Sequence, residues 1–227
     1  MKKKHIFYTE LSYVFGMLTL ALGTAFMEAA DLGVSMVVAP AYLIYRKLSL
    51  IHPFFTFGMA EYTLQAVLLV LTVIVLKRFK ISYLFSFVTA VLYGLTLDVT
   101  MLFVSAIPCE TLLVRIIFYL VGMLFCAVGV SLFFHTYISP EVYELFVKET
   151  SEKYSLDIHK LKTVYDCVSC AIGILLSFIF FGFGHFEGVK LGTILCALVN
   201  GRLIGQCTRV LENSFSFEDG LRSRIFL

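Results

Sequence analysis

The sequence predicts an all-α fold: a polytopic membrane helix bundle with six transmembrane helices arranged as two inverted three-helix repeats. Each repeat carries an interfacial or re-entrant segment after its first helix. Three observations predict this. The first is composition. Of 227 residues, 59% are hydrophobic and 15% charged, and the mean hydropathy is +0.91. An average soluble domain is about 45–50% apolar and about 25% charged, so a water-soluble globule of this size could not hide so much apolar surface. The second is that the apolar residues fall in stretches of about 20, the length that crosses a bilayer core. The third is a glycine motif that returns at a nearly constant offset.

The spans follow in order. Span one, about 8–29, comes after the basic start Met1 to His5 and has no Ala-x-Ala-like exit, so it reads as a retained helix rather than a signal peptide. Span two, about 55–76, carries Glu61 and Gln65. Span three, about 81–105, carries Gly94 and Asp98. Span four, about 112–136, ends at His135, read as a satisfied interfacial histidine. Span five, about 158–181, carries Asp166 and the pair Cys167 and Cys170. Span six, about 187–208, carries Asn200, Gly201 and Arg202. A lone C-x-x-C with no second pair or His pair nearby reads as packing, not as a metal or redox site. Four prolines and no long Ser/Gly tract leave one domain, residues 1–227.

Orientation follows from Lys and Arg. With the N-terminus inside, thirteen fall on inner segments: Lys2, Lys3, Lys4, Lys77, Arg78, Lys80, Lys148, Lys153, Lys160, Lys162, Arg209, Arg222 and Arg224. Four fall outside: Arg46, Lys47, Arg115 and Lys190. Both termini are therefore expected in the cytoplasm.

The repeat is read residue by residue. Gly16-Met17-Leu18-x-x-Ala21-x-Gly23 matches Gly122-Met123-Leu124-x-x-Ala127-x-Gly129 at an offset of 106, with five of eight positions identical. Glu61 and Asp166 align at 105, and Gly94 and Gly201 at 107. The halves are about 8–106 and 112–210. Three spans per half invert the second copy, the architecture of many secondary transporters, which place their site near the midplane between the halves. The segment Gly33 to Leu48 is apolar, interrupted by Pro40 and too short to cross, so it lies in the interface or dips in as a re-entrant piece. Its counterpart, Ser139 to Tyr154, is polar and reads as a surface amphipathic helix.

A charge inside a span is costly and marks a functional candidate. Glu61, Asp98, Asp166 and Arg202 are such charges, with Gln65 and Asn200 as polar companions. Asp98 and Asp166 are the leading anchors for a solute, and Asp166 with Arg202 is expected to pair in one state. Glu61 and Asp98, if close, would repel, and one would hold a proton. No Gly-x-Ser-x-Gly, Walker loop or His-Glu-x-x-His is present, so no enzyme and no cofactor is expected.

The stretch Ala30-Asp31-Leu32-Gly33-Val34-Ser35, then Gly94-Leu95-Thr96-Leu97-Asp98, Tyr165-Asp166, Leu175 to Gly182 and Gly188 to Thr193 resembles the YczE/YyaS/YitT-type bacterial membrane proteins. The resemblance covers about residues 10–208. It implies a six-span protein of the bacterial cytoplasmic membrane, in a group often described as candidate transporters, and it supplies no chemistry. The expected partners are the lipid bilayer and an unknown small solute or ion. No nucleic acid is expected, and a homo-oligomer is compatible with the sequence. The leading expectation is a small secondary transporter. The alternative is a membrane scaffold or accessory subunit of a larger complex.

Overall fold

The structure, a computed structural model, describes residues 5–184 and 186–220, with residues 158 and 159 described by backbone alone. Among the charges used for orientation, Lys2, Lys3, Lys4, Arg222 and Arg224 lie outside the described residues. The elements in chain order are β1 (His5–Tyr8), α1 (Thr9–Ala30), α2 (Ala39–Leu48), α3 (Phe57–Leu76), α4 (Ser82–Ser105), α5 (Leu112–Phe133), α6 (Val142–Tyr154), α7 (Ile158–Phe181), α8 (Leu191–Ser214) and β2 (Phe215–Glu218).

Six helices, α1, α3, α4, α5, α7 and α8, are long and apolar enough to cross a bilayer. The chain is a polytopic membrane protein, and its apolar helix faces meet lipid. Leu102, for instance, is 74% exposed and Leu198 71%, acceptable against hydrocarbon but not against water. The six spans read from the sequence agree with these helices closely, except that the last begins and ends later, at Leu191 and Ser214.

The fold is not purely helical. β1 and β2 pair in parallel, His5 opposite Phe215 and Tyr8 opposite Glu218. Phe7 packs its ring on Phe215 and Phe217. The pairing joins residues about 210 apart, which no local pattern announces. It places β1 and β2 at one end of the bundle, here called the terminal end.

The two glycine motifs meet each other. α1 and α5 cross where Gly16 faces Gly129 and Gly23 faces Gly122. A Cβ on Gly23 would lie 2.7 Å from the Gly122 carbonyl oxygen, and one on Gly129 2.8 Å from that of Gly16. Backbones this close gain dispersion contact without a side chain between them, the usual use of small residues in membrane helices. α4 packs on α1, and α8 on α5. Arg115 of α5 then closes the far end of α1, donating to the carbonyls of Ala30 and Asp31 and to the Asp31 carboxylate. Those donations satisfy carbonyls that a helix end leaves free.

The two short helices begin inside the bundle. α6 starts beside Gln65, about 12 Å along α3 at 1.5 Å per residue, where the Val142 amide donates to the Gln65 side-chain carbonyl at 3.0 Å. It ends where Lys153 donates to the Leu76 carbonyl, at the end of α3. α2 starts with Ala39 close to Gly173 of α7 and ends where Lys47 donates to the Phe180 carbonyl. Each short helix therefore runs from mid-height to one end, α6 to the terminal end and α2 to the opposite one.

This corrects the expectation for residues 139–154. The segment is not a surface helix: Val142, Tyr143, Leu145, Val147 and Glu149 are all buried. Glu141 and Glu149 are inside because α3 and α4 bring partners to them, while Lys148, Glu152 and Lys153 stay exposed. Glu149 accepts from Arg78, Lys80 and Tyr83, all from the α3–α4 corner. Burial pushes its carboxyl up, but the hydrogen bonds from Lys80 and Tyr83 and the charges of Lys80 and Arg78 outweigh it and hold the group below the usual range.

Candidate functional site

The starts of α2 and α6 converge on an internal cavity at mid-height. Ser35, Val37 and Val38 line it from one side, and Glu141, Tyr143 and Glu144 from the other. Leu20 and Thr24 of α1, Tyr93 of α4, Cys126 and Val130 of α5, Lys162 of α7, and Asn200 and Ile204 of α8 complete the wall. The cavity offers about 40 Å³ to the centres of water molecules, room for about three.

The polar groups around it form linked pairs. Tyr143 donates its hydroxyl to Glu61 Oε2 at 2.8 Å. The Gln65 amide donates to Glu141 Oε2 at 2.8 Å. Gln65 thus spends both ends of its amide on α6, donating to Glu141 and accepting from Val142. Lys162 Nζ stands 3.3 Å from Asp166 Oδ1 and 3.5 Å from Glu144 Oε1. Tyr93, fully buried, bonds to the Thr24 hydroxyl at 2.9 Å.

Three acceptor oxygens here receive no hydrogen bond from the protein, Glu61 Oε1, Glu141 Oε1 and Asn200 Oδ1, and Asp166 Oδ1 has only the Lys162 ammonium at 3.3 Å. Leaving a buried polar atom unpaired costs about 1–3 kcal/mol, more for a charged group. Glu144 and Asp166 share one cation, Lys162, while Glu61 and Glu141 accept from the neutral Tyr143 and Gln65, so four carboxyls stand in this region with one cation. Fully ionised, the group would carry three uncompensated negative charges away from water, which is prohibitive. The arrangement therefore accepts positive charge, as protons or as a bound cation. Among the described residues no group of three or more His, Cys, Asp or Glu could hold a metal ion.

Of the six residues singled out in the sequence, the fold brings four to this place. Asn200 lines the cavity, and Glu61, Gln65 and Asp166 stand one contact behind its wall, on Tyr143, Glu141 and Lys162. Asp98 is elsewhere. It accepts from the Thr56 hydroxyl at 2.7 Å and the Gly58 amide at 2.8 Å, capping α3 from α4. It borders a separate recess of about 270 Å³ at the end opposite β1 and β2, beside Tyr45, Phe57 and Met101. Arg202 is exposed on α8, and the cation at Asp166 is Lys162. Lys162, assigned to an inner segment by the charge count, is in fact part of the cavity wall.

Glu141, Tyr143, Glu144 and Lys162 were missed by sequence reasoning. Two signals pointed to them. In the sequence, residues 139–154 follow the second glycine motif as the suspected re-entrant segment 33–48 follows the first. Lys162 and Asp166 are also spaced i, i+4 on one helix face.

A family model described as a family of unknown function, DUF6198, matches residues 7–209. The chain belongs to the DUF6198 family. No curated protein and no solved structure matches it. The matched stretch of this DUF6198 protein contains every side chain of the cavity wall, from Leu20 to Ile204.

The remaining candidates are structural. All six cysteines are free, Cys126 and Cys196 buried and Cys167 exposed. His135 stacks on Phe217 and approaches Glu212 at 3.6 Å, which anchors β2 at the terminal end.

Proposed function

We propose that this DUF6198 protein is a small secondary transporter built from two inverted repeats, with the cavity between them as its site. The observation that carries the reading is the convergence of two short helices, entering from opposite ends, on a buried cavity where Glu141 Oε1 and Asn200 Oδ1 lack protein donors. Such polar atoms are retained at a cost in stability, and function explains the cost better than architecture does.

Packing supports the repeat. Exchanging the halves turns the Gly16–Gly129 contact into Gly122–Gly23, and both occur. It turns α2 on α7 into α6 on α3, and both occur. In this reading the termini are cytoplasmic, as the Lys and Arg distribution favours, and the resemblance to the YczE/YyaS/YitT type adds a bacterial cytoplasmic membrane. Alternating access arises from the two outer helix pairs. α3–α4 is shut by Gly58 and Gly94, while α7–α8 is parted at Gly201, where an added Cβ meets nothing within 4 Å.

A ligand-dependent melting screen on the purified protein tests the reading, with Glu141→Gln and Asp166→Asn as controls. Solutes that stabilise the wild type but neither variant are expected, and they should accumulate in proteoliposomes. Binding that is blind to both substitutions, or no accumulation of any hit, removes the transport site.

A further inference from the structure

We infer that the central cavity binds a small protonated amine of ammonium size. The inference deepens the transport reading above and rests on the same cavity. Its first support is the sign of the site. The orphaned buried oxygens of Glu141 and Asn200 belong to residues that line the cavity and are only 3% and 7% exposed. A ligand that brings N–H donors satisfies them, whereas an anion would add to the unpaired charge. Its second support is size. A space of about 40 Å³ admits ammonium or methylammonium with a water or two, but not a sugar or a nucleotide. Its third support is the spread of the oxygens. No group of three or more metal-binding side chains stands together among the described residues, so the side chains do not build a close shell around a bare metal ion. Directional N–H bonds reach acceptors that are further apart.

Protons compete for the same oxygens. Glu141 faces Gln65 and Glu61 from α3, Glu144 and Tyr143 from α6, Lys162 and Asp166 from α7, Tyr93 from α4, Cys126 from α5 and Asn200 from α8. A carboxyl that loses its O–H proton to water accepts the ammonium N–H in its place, so charge is conserved within the site.

The test uses the full chain in detergent, titrated with ammonium, methylammonium, sodium or potassium chloride against choline chloride at constant ionic strength, at pH 6 and pH 8. Ammonium and methylammonium are expected to raise the melting temperature. Their apparent Kd should weaken toward low pH, by up to about tenfold per pH unit while one proton competes. Glu141→Gln should weaken binding at least about tenfold, and the exposed Glu152→Gln should not. Lys162→Met, which removes the built-in cation, should tighten binding; a merely structural role for Lys162 predicts the reverse. Should Glu141→Gln fail to fold, Lys162→Met still decides. A response to sodium or potassium with none to the amines, or no response above choline, overturns the inference. A second arm loads proteoliposomes with a pH-sensitive dye. Amine binding without amine-driven proton movement sinks the transport reading and leaves the site. Uptake of a neutral solute without amine binding does the opposite.

Discussion

The two outer helix pairs, α3–α4 and α7–α8, are packed differently. In α3–α4, Gly58 lies directly on the Gly94 carbonyl, and Asp98 caps the start of α3 through Thr56 and Gly58. In α7–α8, Gly201, which the sequence offset of 107 aligns with Gly94, faces open space. Gly205, at the same offset from Asp98, faces open space too. One pair has an acid that locks it; the other has a glycine in that place. The closed pair has both a glycine contact and a cap and the open pair has neither, so a glycine at the aligned position does not close a pair by itself.

The largest effect is expected from filling the closed contact. Gly94→Leu should destabilise by about 3 kcal/mol, because the obstacle is backbone and cannot turn aside. Gly201→Leu should stay within about 1 kcal/mol, since the space is open and helix propensity improves. Thermal melting of both variants compares them directly, and equal losses would break the contrast.

The cap comes next. Asp98→Ala removes the acceptor of two hydrogen bonds to a charged group and should cost about 2 kcal/mol. A denaturation midpoint unchanged from wild type would transfer the lock to the glycines alone.

A smaller effect concerns the corner where α6 reaches the α3–α4 turn. The folded carboxyl of Glu149 titrates below its unfolded value. Its contribution is therefore complete above the unfolded pKa, about 4.3, and is lost as pH falls through the lowered folded value. Glu149→Gln should cost about 1 kcal/mol at pH 7 and flatten this part of the acid limb of a stability–pH curve. An unchanged acid limb would mean that the corner holds without the charge.

The smallest effect is expected at Arg202. On the open pair it is exposed, so Arg202→Leu should shift stability by no more than about 0.5 kcal/mol. A loss above about 2 kcal/mol would show that α7–α8 closes in solution and that Arg202 then meets Asp166.

Much of the architecture was legible before the fold was seen. Hydrophobic length is a local property, so the spans were found to within a few residues at most ends. The Gly16, Gly23, Gly122 and Gly129 motif identified the surfaces that α1 and α5 use on each other. The site was half legible. Glu61, Gln65, Asp166 and Asn200 stood out because polar groups inside apolar runs are expensive. Glu141 and Glu144 did not, because a charged segment between two spans looks the same whether it lies on the surface or enters the bundle. Asp98 had the same signal as Asp166 and a different use: Thr56 and Gly58, about 40 residues away, took both of its oxygens.

By itself the sequence determined that the chain is a membrane bundle, where its helices cross, and that its first helices in each half share a glycine face. These follow from transfer free energies and from backbone approach, both readable along the chain. Only the tertiary structure decided which charges meet. Whether a carboxylate caps a helix, clasps a corner or waits in a cavity depends on donors brought from other helices, and no spacing within one helix records them.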